Sequence, residues 1–335
     1  MKAICVTESR NLELRDVPSP SSPPSGYINV SIKYASINHG DKTFLRLPPS
    51  ALAALASGAC LEDVWGASAA GTVTHIGANV PSTYLGRKVA IYRGLKPDDA
   101  ILGLWCETAQ VRYEACLLLP DHVDVKDYSG SLVNVVTAYA FLEQAAAEGH
   151  RGVIVTAGNS ATGRALAVLA RRCGMPILVI VRSEKAKEEL LKSGAGVEHV
   201  LSSSDPDFMR DLEQEARELG TTAVFDGVGG ALISKILGAL PPKSSIFFYG
   251  FLSGPEKVEF PSAVFMMKNL TMRRFSNFNT VTVKERLGDM LKDLEGCIED
   301  PLFRTSLGKD FELKEIEAAM EYEGGSKKAV LVFSK

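Results

Sequence analysis

The 335-residue chain carries 37 Lys and Arg against 40 Asp and Glu, a formal net charge of −3, with 46% hydrophobic and 23% charged residues. That length predicts two domains rather than one core, and the composition is that of a folded globular protein and excludes a disordered chain. The near-balanced charge excludes a global field that would draw in nucleic acid or an anionic membrane.

The chain opens as strands and turns. Met1–Glu8 is already strand-like, and Glu8 and Glu13 arrive too early for the apolar region of a secretion signal. No uninterrupted apolar run reaches the roughly 20 residues that span a bilayer, so a soluble, cytoplasmic protein is expected. Short runs at Lys2–Thr7, Tyr27–Ser36, Thr72–Ile76, Arg87–Tyr92 and Thr108–Arg112, separated by Pro, Gly and Ser clusters, predict a β-rich domain over residues 1–126. Pro18–Pro24 reads as a surface loop within it. The Ala/Leu-rich stretch in Pro48–Leu61, ending at Gly58, predicts a short helix.

From about Tyr128 the period changes. Helices are expected at Ser131–Glu148, Gly163–Cys173, Lys185–Ser193, Asp207–Leu219 and Gly230–Leu240. They alternate with strands at Gly152–Thr156, Ile177–Val181, His199–Leu201, Thr222–Phe225 and Ser245–Gly250. Crossovers of this length specify a parallel sheet covered by helices on both faces. The fold class is therefore α/β, with a Rossmann-type doubly wound parallel sheet over residues 127–267. Helices at Val283–Glu299 and Lys314–Tyr322 and a strand at Ala329–Phe333 would return the chain to the β-rich domain, giving that domain residues 1–126 and 268–335.

The most informative stretch is Val153–Gly163. A β-branched strand turns into the small-residue loop Gly158-Asn159-Ser160-Ala161-Thr162-Gly163, and a helical pattern follows. Amides at a helix N-terminus point at an anion, and small residues let a pyrophosphate approach. The spacing is G-x-S-x-x-G, and Ser160 suits an N-cap as well as a phosphate contact, since both use the same unpaired amides. The next strand ends at Arg182. An acidic residue there would hold ribose hydroxyls, whereas an Arg suits a 2′-phosphate. The expected cofactor is therefore NADP(H), with Lys187 as a second candidate ligand. The bland alternatives are an exposed strand-end arginine and a solvated helix lysine.

Six cysteines (Cys5, Cys60, Cys106, Cys116, Cys173, Cys297) and five histidines (His39, His75, His122, His150, His199) are dispersed, with no C-x-x-C pair. Reduced structural thiols and no metal are expected.

With these landmarks in place, the chain resembles the medium-chain dehydrogenase/reductase superfamily, and within it the zinc-independent quinone oxidoreductase and 2-enoyl-thioester reductase branch. The resemblance runs through Ala35–Asp41 with its Asn38 and Asp41, and Gly66-Ala67-Ser68-Ala69-Ala70-Gly71-Thr72-Val73 before Gly77. It continues through Asn134-Val135-Val136-Thr137-Ala138-Tyr139, Asp226-Gly227-Val228-Gly229-Gly230, Tyr249–Gly254 and Lys268–Arg273, in that order. It implies a GroES-like β-rich catalytic domain and a homodimer. It also implies nicotinamide or substrate contacts from Asn38 and Thr137, and cofactor contacts from Gly227, Val228, Tyr249, Gly250, Leu252 and Ser253. Thr137 could instead bond its own helix carbonyl, and Asn38 could form an Asx turn with Asp41. Trp65, Tyr92, Phe275 and Phe278 are candidate pocket walls, with core packing an equal alternative for the two phenylalanines.

Departures from the family pattern carry information too. Zinc alcohol dehydrogenases have a His-Glu pair where this chain reads Gly66-Ala67-Ser68, so the Lewis acid of alcohol oxidation is not expected. The related enoyl reductases place a proton-donating tyrosine where this chain has Pro49, and no tyrosine stands nearby. The expected activity is NADPH-dependent hydride transfer to an activated C=C (enone or enoyl thioester) or a quinone, with a small-molecule substrate and neither nucleic acid nor membrane as partner. The alternative is an NADPH-binding sensor or scaffold with little catalysis. The apolar strand Ser245–Tyr249 is the expected edge for dimer pairing; the competing reading makes it an internal strand.

Overall fold

The computed structural model describes residues 1–46, 64–95, 103–254 and 256–333. The helix expected over Pro48–Leu61, with Pro49 and Cys60, lies outside the described residues. The chain forms two compact units, Met1–Asn134 with Arg286–Lys335, and Val135–Glu285.

The first unit begins with a hairpin of β1 (Lys2–Val6) and β2 (Leu12–Asp16). Next come β3 (Tyr27–Ser36), α1 (His39–Leu45), β4 (Ser68–Ile76), β5 (Lys88–Tyr92), β6 (Thr108–Arg112) and β7 (Cys116–Leu118). Most of β3 is buried, and it is the hub of the sheet: β4 and β6 both pair with it antiparallel. Alternate inward residues, among them Ile28, Val30, Ile32, Val73, Val89 and Ile91, close a core around the fully buried Trp105.

Helix α2 (Leu132–Ala147) leads into the second unit. There β8 (Val153–Val155), α3 (Ala161–Cys173), β9 (Ile177–Val181), α4 (Glu184–Lys192), β10 (Val200–Ser202) and α5 (Phe208–Glu218) follow in turn. They are succeeded by β11 (Ala223–Asp226), α6 (Gly230–Ile236), β12 (Ser245–Phe248), α7 (Ser262–Met267) and β13 (Thr271–Arg274). All neighbouring strands are parallel, in the order β10-β9-β8-β11-β12-β13. Counted from β8 this is 3-2-1-4-5-6, the order of a doubly wound dinucleotide fold, with its switch point between β8 and β11. Successive strand residues serve opposite faces. Ile154, Val224 and Ile246 pack with Phe208 and Leu212 of α5 and Ile233 of α6. On the other face Phe225 stacks on Phe141 of α2, with ring centroids 3.9 Å apart, and Phe247 meets Phe141 edge-on. Burial of each such ring contributes roughly 1.5–3 kcal/mol.

After α8 (Val281–Glu285) and α9 (Leu287–Glu295), the first unit is completed by β14 (Leu307–Glu312), α10 (Ile316–Glu321) and β15 (Lys328–Val332). The last strand inserts antiparallel beside β3, 290 residues upstream, and β14 pairs parallel to it.

Several expectations are corrected. The helix read over Val283–Glu299 is two helices, because Arg286 at φ −126° and ψ 28° leaves the helical region as the chain passes from one unit to the other. The helix over Gly230–Leu240 stops at Ile236, and that over Lys314–Tyr322 starts as a 3-10 turn at Leu313–Glu315. The strand expected to offer a dimer edge, Ser245–Tyr249, is internal: β12 spends its backbone groups on β11 and β13, and β13 is the edge on that side. Strands β2, β7, β13 and β14 and helices α1 and α7 were not legible as such. β13 joins the parallel sheet, which places residues 271–285 in the second unit.

Candidate cofactor and active site

At the carboxyl end of β8 the chain bends sharply. Ala157 takes the left-handed region with φ 52°, and Gly158 passes so close to β9 that a Cβ there would stand 2.0 Å from Val179 Cγ1. Ser160 caps α3, its hydroxyl accepting the Gly163 amide at 3.1 Å. A Cβ on Gly163 would meet the Gly158 carbonyl oxygen at 2.5 Å, so the helix sits on the loop as only glycine permits. Ala161 and Thr162 form the first turn of α3, whose amides are the anion-facing end of the helix dipole. The Asn159 amide is turned to Glu189 at 3.1 Å. Arg182 follows β9 directly; it is exposed and forms no ion pair among the described residues. Ser183 caps α4, and Lys187 is half-buried in that helix's first turn.

The turn after β11 is tied to this loop. Asp226 is fully buried; its carboxylate accepts the Thr156 hydroxyl at 2.5 Å and the amides of Val228 and Gly229 at 3.2 and 2.7 Å. Thr156 Oγ1 in turn accepts the Gly227 amide at 2.9 Å. Burial raises the Asp226 pKa, and the bonds from Thr156, Val228 and Gly229 oppose that rise. The loop after β12 then folds over the turn: Leu252 and Ser253 amides donate to the Gly227 and Val228 carbonyls at 3.0 Å each. A Cβ on Gly250 would stand 3.0 Å from the Gly227 oxygen. Tyr249 stacks on Phe225 at 4.0 Å and its hydroxyl bonds the Ser160 side chain; burial pushes its phenol pKa up. The buried Ser253 Oγ has no partner among the described residues. The ends of β8, β9, β11 and β12 thus carry Gly158–Gly163, Arg182, Gly227–Val228 and Tyr249–Ser253 around the switch point. Two backbone approaches that a Cβ would fill, an orphaned hydroxyl and an unpaired guanidinium fit a phosphate-bearing dinucleotide.

In the first unit, Asn38 ends β3 and precedes α1. Asn38 and Asp41 form a capping box at the start of α1, and the Asp41 carboxylate accepts the Asn38 and Ala67 amides at 2.8 and 3.1 Å. The Asn38 Nδ2 donates to Ser68 Oγ at 2.6 Å and to the Ser36 carbonyl at 3.4 Å, and Oδ1 accepts from the Lys328 ammonium. Asp41 is buried; desolvation raises its pKa against the bonds from Asn38 and Ala67 and the charge of Lys328. Gly66, at φ 103°, allows this approach, since a Cβ there would lie 2.3 Å from Trp105 Cδ1.

Thr137 lies on α2, and its hydroxyl accepts the Asn277 amide at 3.0 Å. Phe275 is buried and packs edge-on to Phe225 and Phe141, at 5.2 and 5.7 Å, which is its core reading; Phe278 is half-buried. Trp65 is partly buried beneath the Arg10 guanidinium, and Tyr92 is buried at the end of β5. Trp65 and Tyr92 belong to the first unit, and Phe275 and Phe278 to the second. Among the described residues no group of three or more His, Cys, Asp or Glu could hold a metal ion. Sequence reasoning passed over Thr156, Ser68, Asn277 and Lys328. Asp226 stood in a quoted motif, but nothing local marks Lys328 as a partner of Asn38.

Comparison with known proteins agrees with this geometry. Residues 161–293 match the sequence model of the family described as Zinc-binding dehydrogenase. A putative NADPH:quinone reductase from Mesorhizobium loti superposes with a TM-score of 0.75 at 23% identity, covering 99% of this chain and 98% of that one. Residues 161–293 lie mainly in the parallel-sheet unit, which is similar in sequence to zinc-binding dehydrogenases. The likeness of fold extends over the whole chain: Escherichia coli quinone oxidoreductase complexed with NADPH gives a TM-score of 0.72 at 18% identity over 99% of both chains. Among curated relatives, a 2-haloacrylate reductase from a Burkholderia species is 24% identical over 270 residues, 78% of each chain. A mitochondrial enoyl-[acyl-carrier-protein] reductase from Xenopus tropicalis is 25% identical over 300 residues, 84% of this chain and 79% of that one. Two reducing polyketide synthases also match, and the chain spans 9% and 10% of their length.

Proposed function

We propose that this protein is an NADPH-dependent, zinc-independent reductase of an activated C=C, in an enone or enoyl thioester, or of a quinone. The observation that carries this reading is the meeting of the glycine loop, Arg182 and the two tied turns at the switch point of a doubly wound sheet. The names of its relatives, a haloacrylate reductase, an enoyl reductase and quinone reductases, support the substrate class.

When bound, NADPH supplies a hydride. The chain's residues bind and orient. First-turn amides of α3 with Ser160 and Thr162 hold the pyrophosphate, and Arg182, with Lys187 behind it, holds the 2′-phosphate. Gly227, Val228, Gly250, Leu252 and Ser253 line the nicotinamide half, where the Ser253 hydroxyl finds its missing partner. Thr137, in the same unit, presents a hydroxyl to the reacting end, and Asn38 is the first unit's candidate for a substrate contact. Hydride addition to an enone places charge on the carbonyl oxygen, which fixed donors stabilise. Phe278 supplies an apolar wall in the second unit, and Trp65 and Tyr92 are the first unit's candidates for substrate contact. Much of the rate then comes from holding donor and acceptor together.

No helix among the described residues is long and apolar enough to cross a membrane. A homodimer by sheet pairing on the β12 side would use β13, the edge strand there.

Two measurements test the reading. Matched titrations with NADPH and NADH should show much tighter binding of NADPH. NADPH consumption with a panel of enones, enoyl thioesters and quinones should show turnover with one class. Tight NADPH binding with no turnover across the panel would instead mark a sensor or scaffold.

A further inference from the structure

The Asn38 side chain is held at both ends. Strand β15 pairs with β3 in the register Val330 to Ser36, Leu331 to Ala35 and Val332 to Tyr34. Continued two residues, that register sets Lys328 opposite Asn38, and the Ile37 amide bonds the Ala329 carbonyl at 3.0 Å on the way. The Lys328 ammonium donates to Asn38 Oδ1 and to the Gly130 carbonyl at 3.2 Å. Gly130 is close-packed at this point: a Cβ on it would stand 2.7 Å from Ser36 Cβ and 3.4 Å from Lys328 Nζ. Beside it the Ser36 and Ser129 hydroxyls bond at 2.6 Å.

An ammonium has donors and no acceptor. It therefore decides which end of the Asn38 carboxamide faces β15: the oxygen. The NH2 group is thereby sent the other way, to Ser68 Oγ. Loss of that charge would leave the Ser36 carbonyl, 3.4 Å from Nδ2, and the capping-box bond from the Asp41 amide to oppose a half-turn of the carboxamide. Lys328 also faces the buried Asp41, whose carboxylate fixes the backbone of the same residue. A cation and a serine from separate segments hold the Asn38 carboxamide, and a buried carboxylate holds the backbone amide of the same residue.

We propose that Lys328 is a positioning residue of the reductase: its ammonium sets the orientation of the Asn38 carboxamide, so that one N–H is always presented on the Ser68 side. This rests on the reductase reading for its kinetic consequence, while the orientation itself does not.

The test compares Lys328→Met, Lys328→Arg, Asn38→Ala and Lys328→Met/Asn38→Ala. Lys328→Met should lower kcat about tenfold, the scale of one charge-assisted bond of about 1.4 kcal/mol, with KM for NADPH unchanged. Lys328→Arg, which keeps the charge and donors, should recover most of that loss. In the Asn38→Ala background, Lys328→Met should cost little more, because the group it orients is gone. Side-chain amide NMR supplies a readout free of turnover: the Asn38 NH2 pair, assigned by its disappearance in Asn38→Ala, should shift or broaden in Lys328→Met and not in Lys328→Arg. Full multiplicativity of the two single losses, or an unmoved Asn38 pair, overturns the proposal. If the wild type turns over no acceptor but the Asn38 pair moves as described, the reductase reading falls and the positioning role stands.

Discussion

The Thr156 hydroxyl and the Asp226 carboxylate, 70 residues apart, meet at 2.5 Å in a fully buried position and lock the carboxyl ends of β8 and β11 together. These are the strands on either side of the switch point, so one hydroxyl sets the spacing of both cofactor turns. It donates to Asp226 and accepts from Gly227, joining a side chain and a backbone that no sheet bond connects there.

Thr156→Val keeps the shape of this side chain and removes both bonds. The Gly227 amide and one carboxylate oxygen lose a buried partner, at a cost of about 1–3 kcal/mol. Urea unfolding should show that loss, and NADPH affinity should drop with it because Gly227 and Val228 move. Thr156→Ser, which keeps the hydroxyl, should retain most of both.

Asp226 also gives stability a pH dependence. Its folded pKa lies above the ordinary value of 3.8 because burial disfavours the charge. The native state therefore holds a proton that the unfolded chain releases, and stability falls as pH rises from about 4 through the folded value. Asp226→Asn cannot titrate. The stability of wild type relative to Asp226→Asn should thus increase as pH falls from about 7 towards 4. A pH-independent difference would show that the carboxyl titrates normally. Asp41 has the same sign, its rise opposed by Asn38, Ala67 and Lys328, and adds to the wild-type slope.

How much of this was legible depended on whether the signal is local. The βα alternation, Ser160 as a cap, and Arg182 at a strand end are written in neighbouring residues, and the parallel sheet emerges nearly element for element. β13 was not legible because Thr271-Met272-Arg273-Arg274 is an edge with polar residues outward, carrying none of the apolar run of its neighbours. β12 was read as an edge because an apolar strand looks alike whether one neighbour or two cover it. The Lys328–Asn38 contact depends on the register of strands 290 residues apart, which spacing does not encode. The Asn277–Thr137 bond hangs on a 3-10 turn, Asn277–Asn279, that has no periodicity to read.

Gly163 offers a sharper test of the cradle than Gly158. An added Cβ would fall 2.5 Å from the Gly158 oxygen and 2.8 Å from the Ala157 oxygen, both backbone atoms that cannot swing aside. Gly163→Ala must push α3 off its loop, an overpacking cost of about 1–3 kcal/mol. NADPH titration should show affinity reduced by at least about tenfold, since the amides that face the pyrophosphate move with the helix.

Ala157 predicts the opposite sign. At φ 52° it sits where an L side chain costs about 1–2 kcal/mol and glycine does not. Against the extra freedom glycine brings to the unfolded chain, about 0.5–1 kcal/mol, Ala157→Gly should stabilise the protein by a few tenths of a kcal/mol up to about 1 kcal/mol. The urea midpoint should rise. A lower midpoint would mean that the Ala157 methyl makes packing contacts that outweigh its backbone strain.

Cofactor choice turns on Arg182. Its guanidinium is exposed at the end of β9 and engaged in no ion pair among the described residues, so its donors remain for a ligand phosphate. A hydrogen bond to a charged partner contributes about 1.5–3 kcal/mol, but exposure to solvent and salt trims the charge component. Arg182→Ala should therefore weaken NADPH binding about tenfold near physiological salt, and more at low ionic strength, while NADH, with no 2′-phosphate, changes less than about twofold. Titrations of both nucleotides at the two salt levels separate the outcomes. Equal loss for NADPH and NADH would assign Arg182 to the architecture of the loop. Loss confined to NADPH, steepening as salt is removed, is what a guanidinium gripping the extra phosphate must give.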